Sequence, residues 1–376
     1  MESNEISSHL AQHFSLQGTL SPLAGELDLN YKLDTDQGDS FIVKVSRDPE
    51  TIASIPFQEA LLLHLKNSDF KGNIPAIIPN LKGSYKSAID MNGVVCVLRV
   101  FQWMDGRLWA KTNPVLSDLR HGLGNHLGQI TQNLQGFTHP FAHRNFEWDL
   151  SQCLWVTEHL HLFNASELAL INPFINAFKT HQKAYNTLPK SVIHNDANDH
   201  NIIVSHALIH PQIIGLIDYG DACYSQTIND LAIACTYGIM DTENPLAACL
   251  PIIKGYHESN PLSEQELLHL FHLIGMRLVV SLTKAAMNKK EHPENKYLFI
   301  SEKPAWKLLE KWSGVNAKLA YYAFRKACNY KAHPNLTKFE AWVKKQSISL
   351  SHLFPDQKKT RRHSLRFERK QPLDRK

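Results

Sequence analysis

Short apolar runs in the first hundred residues predict β-strands. Tyr31–Leu33 and Phe41–Val45 are separated by a turn-rich segment, which indicates a hairpin with a longer loop. Val94–Phe101 is a nearly continuous apolar run and predicts a buried strand. The polar residues 1–20 predict a lead-in helix ahead of this strand-rich region.

Helical spacing of apolar residues dominates the remainder of the chain. In the N-terminal part, one helix is predicted to start at Ser54 as N-cap, with Pro56 in its first turn. Beyond Gln102–Gly106, where the composition changes, further helical runs follow, and residues 202–217 form a β-like exception. The runs are 115–135, 151–185, 227–258, 263–289 and 303–345.

These patterns predict an α+β fold in two lobes. Residues 1–104 form a small β-rich N-lobe with a hinge at 101–104, and residues 105–355 form a large, mostly helical C-lobe. Residues 356–376 form a basic tail, which we expect to be disordered. The join between two such lobes is a preferred place for a ligand cleft.

Charge is concentrated at the C-terminus. Residues 357–376 hold nine Lys/Arg and two acidic residues, so this tail carries +7, whereas the whole chain carries +4. Residues 1–356 are therefore at −3. The tail is expected to be solvated, with contact to an acidic surface as the alternative, and its single Phe gives little support for nucleic-acid binding. No DNA partner is expected.

Cysteine usage and hydropathy favour a cytoplasmic protein. The six cysteines among 376 residues are scattered without a C-x-x-C pair, which fits a reducing compartment. The N-terminus lacks the pattern of a signal peptide. The longest apolar candidate, Leu231–Met240, is too short for a membrane span, and none is expected.

The chemistry is concentrated in two neighbouring segments. Residues 192–204 read VIHNDANDHNIIV and contain His194, Asp196 and Asn201; residues 217–221 read IDYGD and contain Asp218. This is the kinase pattern H-x-D-x-x-x-x-N followed by D-[FY]-G, in which the two loops are joined by a β-hairpin. The apolar runs Ile202–Val204 and Ile213–Ile217 can form that hairpin.

Phosphoryl transfer explains why these residue types belong together. A carboxylate and an amide oxygen supply hard ligands for Mg²⁺, and a second carboxylate orients the acceptor hydroxyl and takes its proton. Gly220 would give the backbone freedom after the metal-binding carboxylate. The alternative is that His194, Asp196 and Asn201 are ordinary loop residues, which Asp218 at the matching spacing argues against.

A cation for the nucleotide phosphates is expected on the hairpin. Lys44 is the candidate, and Glu59 on the following helix could pair with it. Their alternatives are a strand-edge lysine and a solvated helix carboxylate. The turn leading to Asn30 has a single glycine, Gly25, so the chain lacks both a P-loop and the protein-kinase phosphate loop.

The residues quoted above resemble the aminoglycoside phosphotransferase/choline kinase superfamily of small-molecule kinases. More narrowly, VIHNDANDHNIIV and GLIDYGDACYS are similar to the hydroxylysine kinase-like branch. The resemblance extends over roughly residues 20–345 and implies a protein-kinase-like two-lobed fold. The chain departs from the wider pattern at Asn195, where many relatives have Gly, and at Tyr219, which replaces Phe.

The resemblance implies a role for each matching residue. Asp196 would be the catalytic base, and His194 would orient the catalytic loop. Asn201 and Asp218 would bind Mg²⁺, while ATP or GTP would be the co-substrate. The residues expected to contact or support the nucleotide are Lys44, Glu59, Asn30, Phe101 and Met104.

The acceptor implied by this branch is a small hydroxylated amine or amino acid. Acidic residues near the motifs could bind its ammonium group: Asp199, Asp221 and Asp230. Arg277 could bind an acceptor carboxylate through its planar fork. For Asp230 and Arg277 the alternative is a purely structural role.

Several functions stay open at this point. Hydroxylysine is the leading acceptor, and homoserine, choline or ethanolamine, or an aminoglycoside are the others. A protein kinase is less favoured because no A-P-E segment follows Asp218. A catalytically silent binding or scaffold protein is expected to have lost one of Lys44, Asp196, Asn201 and Asp218, and all are present.

Overall fold

An antiparallel sheet is built from the first hundred residues, as the strand pattern predicts. Its strands run in the order β1-β2-β3-β6-β4, and β5 pairs with β6. The bounds are β1 (Gly18–Leu23), β2 (Leu29–Thr35), β3 (Ser40–Ser46), β4 (Ile77–Ile78), β5 (Ser87–Met91) and β6 (Val94–Gln102). The predicted hairpin is confirmed as β2–β3.

One face of this sheet is closed by the N-terminal helix α1 (Glu2–Phe14). Ile6, Leu10 and Phe14 of α1 lie in one buried cluster with apolar side chains of β2, β3, β5 and β6. Burial of apolar area of this kind is the main force that holds a sheet to a helix. The predicted lead-in helix is therefore present, but it ends at Phe14, and the residues after it enter β1.

Helix α2 (Pro49–Asn67) begins earlier than predicted. Asp48 is the N-cap, and its carboxylate accepts the backbone N–H of Thr51 at 2.7 Å. Pro49 takes the first helical position, where its missing N–H is not needed. Ser54 and Pro56 consequently lie inside the helix, so the start predicted at Ser54 was wrong.

The remainder of the chain is mostly helical. Three of the predicted helical runs are divided: 151–185 breaks after Leu162, 227–258 breaks between Gly238 and Pro245, and 303–345 breaks after Ser313 and again after Ala327. The helices are α3 (Ser117–Asn133), α4 (Ala165–Tyr185), α5 (Ile228–Gly238), α6 (Pro245–Ser259), α7 (Glu264–Glu291), α8 (Glu302–Ser313), α9 (Ala317–Ala327) and α10 (Leu336–Lys345), with a 3₁₀ stretch at Leu150–Leu162.

Helix α7 is the central element of this helical region. It packs against α4, α5, α8, α9 and the 3₁₀ stretch. Among the described helices, α7 alone has the length and hydropathy of a membrane span, and 78% of its most apolar stretch is buried inside the protein. Burial of that extent is typical of a core helix.

Five short strands hold the two predicted loops side by side. They are β7 (Arg107–Leu108), β8 (Lys190–Ile193), β9 (Ile202–Val204), β10 (Ile213–Leu216) and β11 (Cys223–Gln226). The hairpin predicted over 202–217 is confirmed as β9–β10, with Leu216 opposite Ile202. The sequence did not indicate that β11 pairs with β8, where Cys223 lies opposite Ile193.

The structure describes residues 2–25, 28–295, 299–333 and 335–345. The chain divides into two units, residues 1–328 and residues 329–376. In the second unit α10 is described, and the basic tail predicted at 356–376 lies outside the described residues. The predicted lobe boundary after residue 104 stays a prediction.

Helices α3 and α6 approach each other through glycine. A Cβ added at Gly124 of α3 would overlap the carbonyl oxygen of Ile252, and one added at Gly255 of α6 would overlap that of His121. The two backbones can therefore lie this close only because neither residue has a side chain.

We predict that Gly124→Ala destabilises the protein although alanine favours helices. Overpacking of a closed contact costs roughly 1–3 kcal/mol of unfolding free energy. Gly122→Ala on the same helix is the matched control, because its Cβ would meet no atom nearer than Ile213 Cγ1 at 3.6 Å. That variant should be neutral or gain about 0.5–1 kcal/mol. Urea denaturation of both variants measures the difference, and equal stabilities would contradict the packing argument.

Candidate active site

The two motif loops leave adjacent paired strands. Residues 194–201 connect β8 to β9, and Asp218 lies between β10 and β11. Because β8 pairs with β11 and β9 pairs with β10, each loop starts and ends beside the other. The strand pairing thus brings His194, Asp196, Asn201 and Asp218 to one place.

His194 is fully buried and links the two loops in its neutral form. Its Nδ1 accepts the backbone N–H of Asp196 at 3.2 Å, so the proton is on Nε2, which donates to the Ile217 carbonyl at 3.2 Å. Burial lowers the pKa of His194, in agreement with a neutral ring. This placement suits the predicted role of orienting the catalytic loop.

Asp196 is held by three side chains. Its Oδ1 accepts from Arg277 Nη2 at 3.0 Å, and its Oδ2 accepts from Asn198 Nδ2 at 2.9 Å and Asn201 Nδ2 at 2.6 Å. Burial raises the pKa of Asp196, while Arg277 and the two amides lower it. The carboxylate therefore has a fixed orientation before any substrate is present.

Asn201 has an orientation that suits a cation ligand. Its amide nitrogen donates to the Asp196 carbonyl at 3.0 Å as well as to the Asp196 carboxylate. Among the described groups no donor is hydrogen-bonded to Asn201 Oδ1, which remains available as a hard oxygen ligand. Together with the Asp218 carboxylate, this donor set fits Mg²⁺, which takes one or two protein oxygens and completes its shell with phosphate and water.

Asp218 pairs directly with the predicted phosphate-binding lysine. Lys44 Nζ lies 3.0 Å from Asp218 Oδ2, and this ammonium holds the pKa of Asp218 below its usual range. Asp218 has φ +63°, in the left-handed region. The conformational freedom predicted at Gly220 is therefore needed at Asp218 instead. A Cβ at Gly220 would lie 3.2 Å from Asp218 Oδ1, so glycine there leaves room for the carboxylate.

Glu59 is not brought to Lys44. Within the described part of the chain, no hydrogen bond or ion pair joins the two side chains. The neighbouring Gln58 instead accepts from Arg99 Nη1 at 2.8 Å, and Arg99 also pairs with Asp28 at 3.2 Å. Arg99 of β6 lies directly opposite Lys44 of β3 and also donates to Ser46 of β3 at 3.2 Å. The buried hydrogen bonds of Arg99 therefore support the strand that carries the lysine.

The other residues predicted to contact the nucleotide lie on the N-terminal sheet or directly follow its strand β6 in the sequence. Asn30 on β2 is opposite Lys44, and its side chain fills the space beside Gly25. Phe101 is mostly buried on β6, and half-buried Met104 follows that strand, packed against Gly215. Their contact with a purine stays a prediction.

The three acidic candidates for acceptor binding are placed differently from one another. Asp230 is fully buried, and its two oxygens accept the backbone N–H groups of His194 at 3.2 Å and Asn195 at 2.8 Å. This position differs from the predicted ammonium contact, because both oxygens already hold the catalytic loop. Asp199 pairs with His200 at 3.3 Å.

Asp221 is the candidate that is left open for an acceptor. It is half-buried, and among the described residues no side chain forms a hydrogen bond or ion pair with its carboxylate. Burial, together with Asp196 and Asp218, raises its pKa to about 8. A cationic group placed beside Asp221 would relieve this concentration of negative charge.

Arg277, on α7, contacts the loop between β8 and β9, and its predicted contact with an acceptor carboxylate stays a prediction. Its guanidinium donates to Asp196 and, at 3.3 Å, to the carbonyl of Trp148. The side chain is only 1% exposed. Both bonded nitrogens of its fork are therefore used inside the protein.

Several supporting residues were missed by sequence reasoning. Arg144 donates to the carbonyls of Gly220 at 2.8 Å and Ala222 at 3.2 Å, which braces the turn after Asp218. Gln58 and Asn198 were not singled out either. Arg99 was the one with a visible signal, because a charged residue inside the apolar run of β6 must find partners when it is buried.

We predict that Asp221→Asn raises the melting temperature in the absence of metal and nucleotide, most at alkaline pH. The pKa of Asp221 is raised in the folded state from 3.8 to about 8, so the folded protein binds more protons in that interval. Stability therefore falls as pH rises through the interval, and the neutral variant avoids this loss. The difference in melting temperature should grow from about pH 4 to about pH 8 and then level off.

Thermal unfolding in EDTA over this pH range measures the effect. Asp36→Asn, in the exposed turn between β2 and β3, is the control for a surface carboxylate. A difference for Asp221→Asn that does not change with pH would contradict the assignment.

The chain is similar in sequence and in structure to proteins that are named as kinases. The mouse (Mus musculus) hydroxylysine kinase is 27% identical over 326 residues, which cover 80% of this chain and 85% of the relative. A microcompartment-associated aminopropanol kinase has the same fold, with TM-score 0.61 and 19% identity over 86% of this chain and 98% of that one. An amicoumacin kinase in complex with AMP-PNP and Ca²⁺ has TM-score 0.62 and 16% identity, covering 84% of this chain and 96% of that one.

The fold class predicted from the sequence is confirmed: this protein has an N-terminal antiparallel sheet and a mostly helical remainder, and it shares its fold with these two kinase structures. The family is shown by a match that extends from β1 to the end of α6, over residues 19–258. With both motif loops inside the matched range, this chain belongs to the phosphotransferase enzyme family.

Proposed function

We propose that this phosphotransferase is a small-molecule kinase that transfers the terminal phosphoryl group of ATP or GTP to the hydroxyl of an amino alcohol or hydroxy amino acid. Hydroxylysine is the leading acceptor. The observation that carries the proposal is the fixed Asp196 carboxylate in the loop beside the Lys44–Asp218 ion pair. A base and a phosphate-binding cation are the two parts that this reaction requires.

In the proposed reaction, Asp196 orients the acceptor hydroxyl and takes its proton. The hydroxyl oxygen forms a bond to the terminal phosphorus, and the bond from that phosphorus to the bridging oxygen breaks, which releases the nucleoside diphosphate. The raised pKa of Asp196 supports this role, because a carboxylate with a higher pKa is a better proton acceptor. Lys44 would hold the phosphates with the same ammonium group that pairs with Asp218 in the structure.

Mg²⁺ fits the donor set formed by Asn201 and Asp218. When bound, it would neutralise charge on the phosphate oxygens. The chain's own contribution is to orient the ligands: the Asn201 amide is fixed by Asp196, and Asp218 is fixed by Lys44 and by the backbone N–H of Gly220 at 3.3 Å. Removal of divalent cations should therefore stop transfer.

The acceptor is proposed to carry an ammonium group. The site brings three carboxylates close together: Asp196, Asp218 and Asp221. The pKa of Asp218 is lowered by Lys44, whereas the pKa values of Asp196 and Asp221 are raised although Arg277 and Arg144 lie nearby. Asp221 has no direct partner within the described residues. The names of the similar proteins, hydroxylysine kinase and aminopropanol kinase, support an amine-bearing alcohol. Homoserine, choline, ethanolamine and aminoglycosides are the alternative acceptors.

We propose a cytoplasmic location, with no DNA partner. All six cysteines are buried free thiols in the described structure, as expected in a reducing compartment. For the basic tail, solvation remains the proposal, and contact with an acidic surface is the alternative. A silent scaffold is disfavoured because Lys44, Asp196, Asn201 and Asp218 are all present and close together.

We predict turnover of one acceptor in a nucleoside-diphosphate release assay with Mg²⁺. ATP and GTP would be tested separately against hydroxylysine, homoserine, ethanolamine, choline, serine and an aminoglycoside. Asp196→Asn should abolish transfer, because the amide cannot take the proton, while nucleotide binding persists. Nucleotide binding without turnover of any acceptor would favour an untested or protein acceptor, and no nucleotide binding would favour the silent scaffold.

Asp218→Asn is predicted to weaken nucleotide binding itself. Asparagine tolerates the left-handed backbone of this position, so the variant removes charge without adding backbone strain. Loss of a charged metal ligand should raise the Kd for Mg²⁺-nucleotide by about tenfold or more, as metal-site substitutions commonly do. Isothermal titration with a non-hydrolysable analogue measures it, and Asp196→Asn is the control with unchanged Kd. Equal Kd values for both variants would contradict the assignment of Asp218.

A further inference from the structure

Arg277 is a buried cation on α7 whose best partner is the carboxylate of Asp196. Its Nη2 donates to Asp196 Oδ1 at 3.0 Å, and its side chain is 1% exposed. Removing a guanidinium from water is costly, and buried ion pairs commonly give no net stability compared with apolar side chains. The pair is therefore better explained by the geometry it imposes than by its contribution to stability.

The guanidinium itself is fixed from several sides. It lies over the ring of Trp148, 4.7 Å from the centroid, and over the ring of Tyr237 at 5.4 Å. Its Nη1 donates to the Trp148 carbonyl at 3.3 Å. Two aromatic faces and a backbone acceptor thus leave Arg277 little freedom to follow a moving carboxylate.

The hydrogen bonds to Asp196 distinguish its two oxygens. A carboxylate oxygen has two lone pairs. Oδ2 already accepts from Asn198 and Asn201, so both of its lone pairs are used. Oδ1 accepts from Arg277 alone among the described residues, which leaves one lone pair for a further donor.

We propose that Arg277 is a positioning residue, which holds Asp196 so that Oδ1 is the oxygen presented to the acceptor hydroxyl. This inference rests on the proposed kinase function and adds to it the atom that takes the proton and the residue that aims it. Arg277 then acts on the reaction step through Asp196 and does not bind the acceptor. Both bonded nitrogens of its fork are engaged inside the protein.

The experiment compares Arg277→Lys and Arg277→Met with the wild-type protein on paired acceptors. Each pair differs only by a carboxylate: serine and ethanolamine, or hydroxylysine and the same molecule without its carboxylate. Lysine keeps the charge but lacks the planar fork that reaches Asp196 and the Trp148 carbonyl together. Methionine is a similarly long side chain without charge.

We expect kcat to fall by about 10- to 100-fold for Arg277→Met, because a misplaced reacting group costs about that much. Arg277→Lys should lose less. The loss should be the same for both members of a pair, with KM for the acceptor and Kd for nucleotide nearly unchanged. Arg325→Met is the matched control. Arg325 is also buried and pairs with Glu264 of α7, away from the site, so this variant should keep the wild-type kcat.

Two results would overturn this inference alone. A rise in KM confined to acceptors with a carboxylate would make Arg277 an acceptor-binding residue, as the sequence suggested. An unchanged kcat in Arg277→Met, with Asp196→Asn inactive, would show that Asp196 needs no aiming and would leave the kinase proposal intact. Full activity of Asp196→Asn, or no turnover by the wild-type protein, would instead overturn the proposed function and this inference with it.

Discussion

The ion pair between Lys44 and Asp218 joins the N-terminal sheet to the loops of the helical region. Lys44 comes from the middle of β3, and Asp218 comes from the turn between β10 and β11, 174 residues later. In the proposed function, the Lys44 ammonium would bind the nucleotide phosphates and the Asp218 carboxylate would bind the metal ion. The contact between the sheet and the loops thus includes the same charges that would bind the nucleotide.

Negative charge is the second constraint on this site. Asp196, Asp218 and Asp221 lie on the two loops, and Asp230 of α5 is hydrogen-bonded to the first of them. Burial raises the pKa of Asp196, Asp221 and Asp230. The groups that stabilise the negative charge differ from one carboxylate to the next. Asp230 accepts from backbone amides, Asp196 pairs with Arg277, and Asp218 pairs with Lys44. Among the described residues, Asp221 has no hydrogen-bonded partner and interacts with Arg144 and Arg277 at longer range. These different partners distinguish Asp230, whose two oxygens are bonded inside the protein, from Asp221, which could accept a ligand.

Sequence reasoning succeeded where chemistry depends on short spacings. His194, Asp196 and Asn201 stand at fixed offsets in one loop, so the motif and the β9–β10 hairpin could be predicted. The Arg99–Gln58 and Arg277–Asp196 bonds join residues 41 and 81 positions apart, and no local pattern specifies such pairs. The start of α2 was misplaced for another reason: Ser54 and Asp48 are both good N-caps, and Pro49 at the first helical position favours Asp48.

The left-handed backbone at Asp218 has a consequence for how this protein can vary. Glycine, asparagine and aspartate are the residues that adopt such a conformation readily. Glycine and asparagine fit the backbone but lose the charge, and glutamate keeps the charge but brings a longer side chain that the backbone disfavours. No single replacement of Asp218 therefore keeps both the left-handed backbone conformation and the negative charge without strain. The steric requirement of the turn and the electrostatic requirement of the proposed site overlap on one amino acid, so a descendant with glycine or asparagine at position 218 would keep the turn but lose the charge.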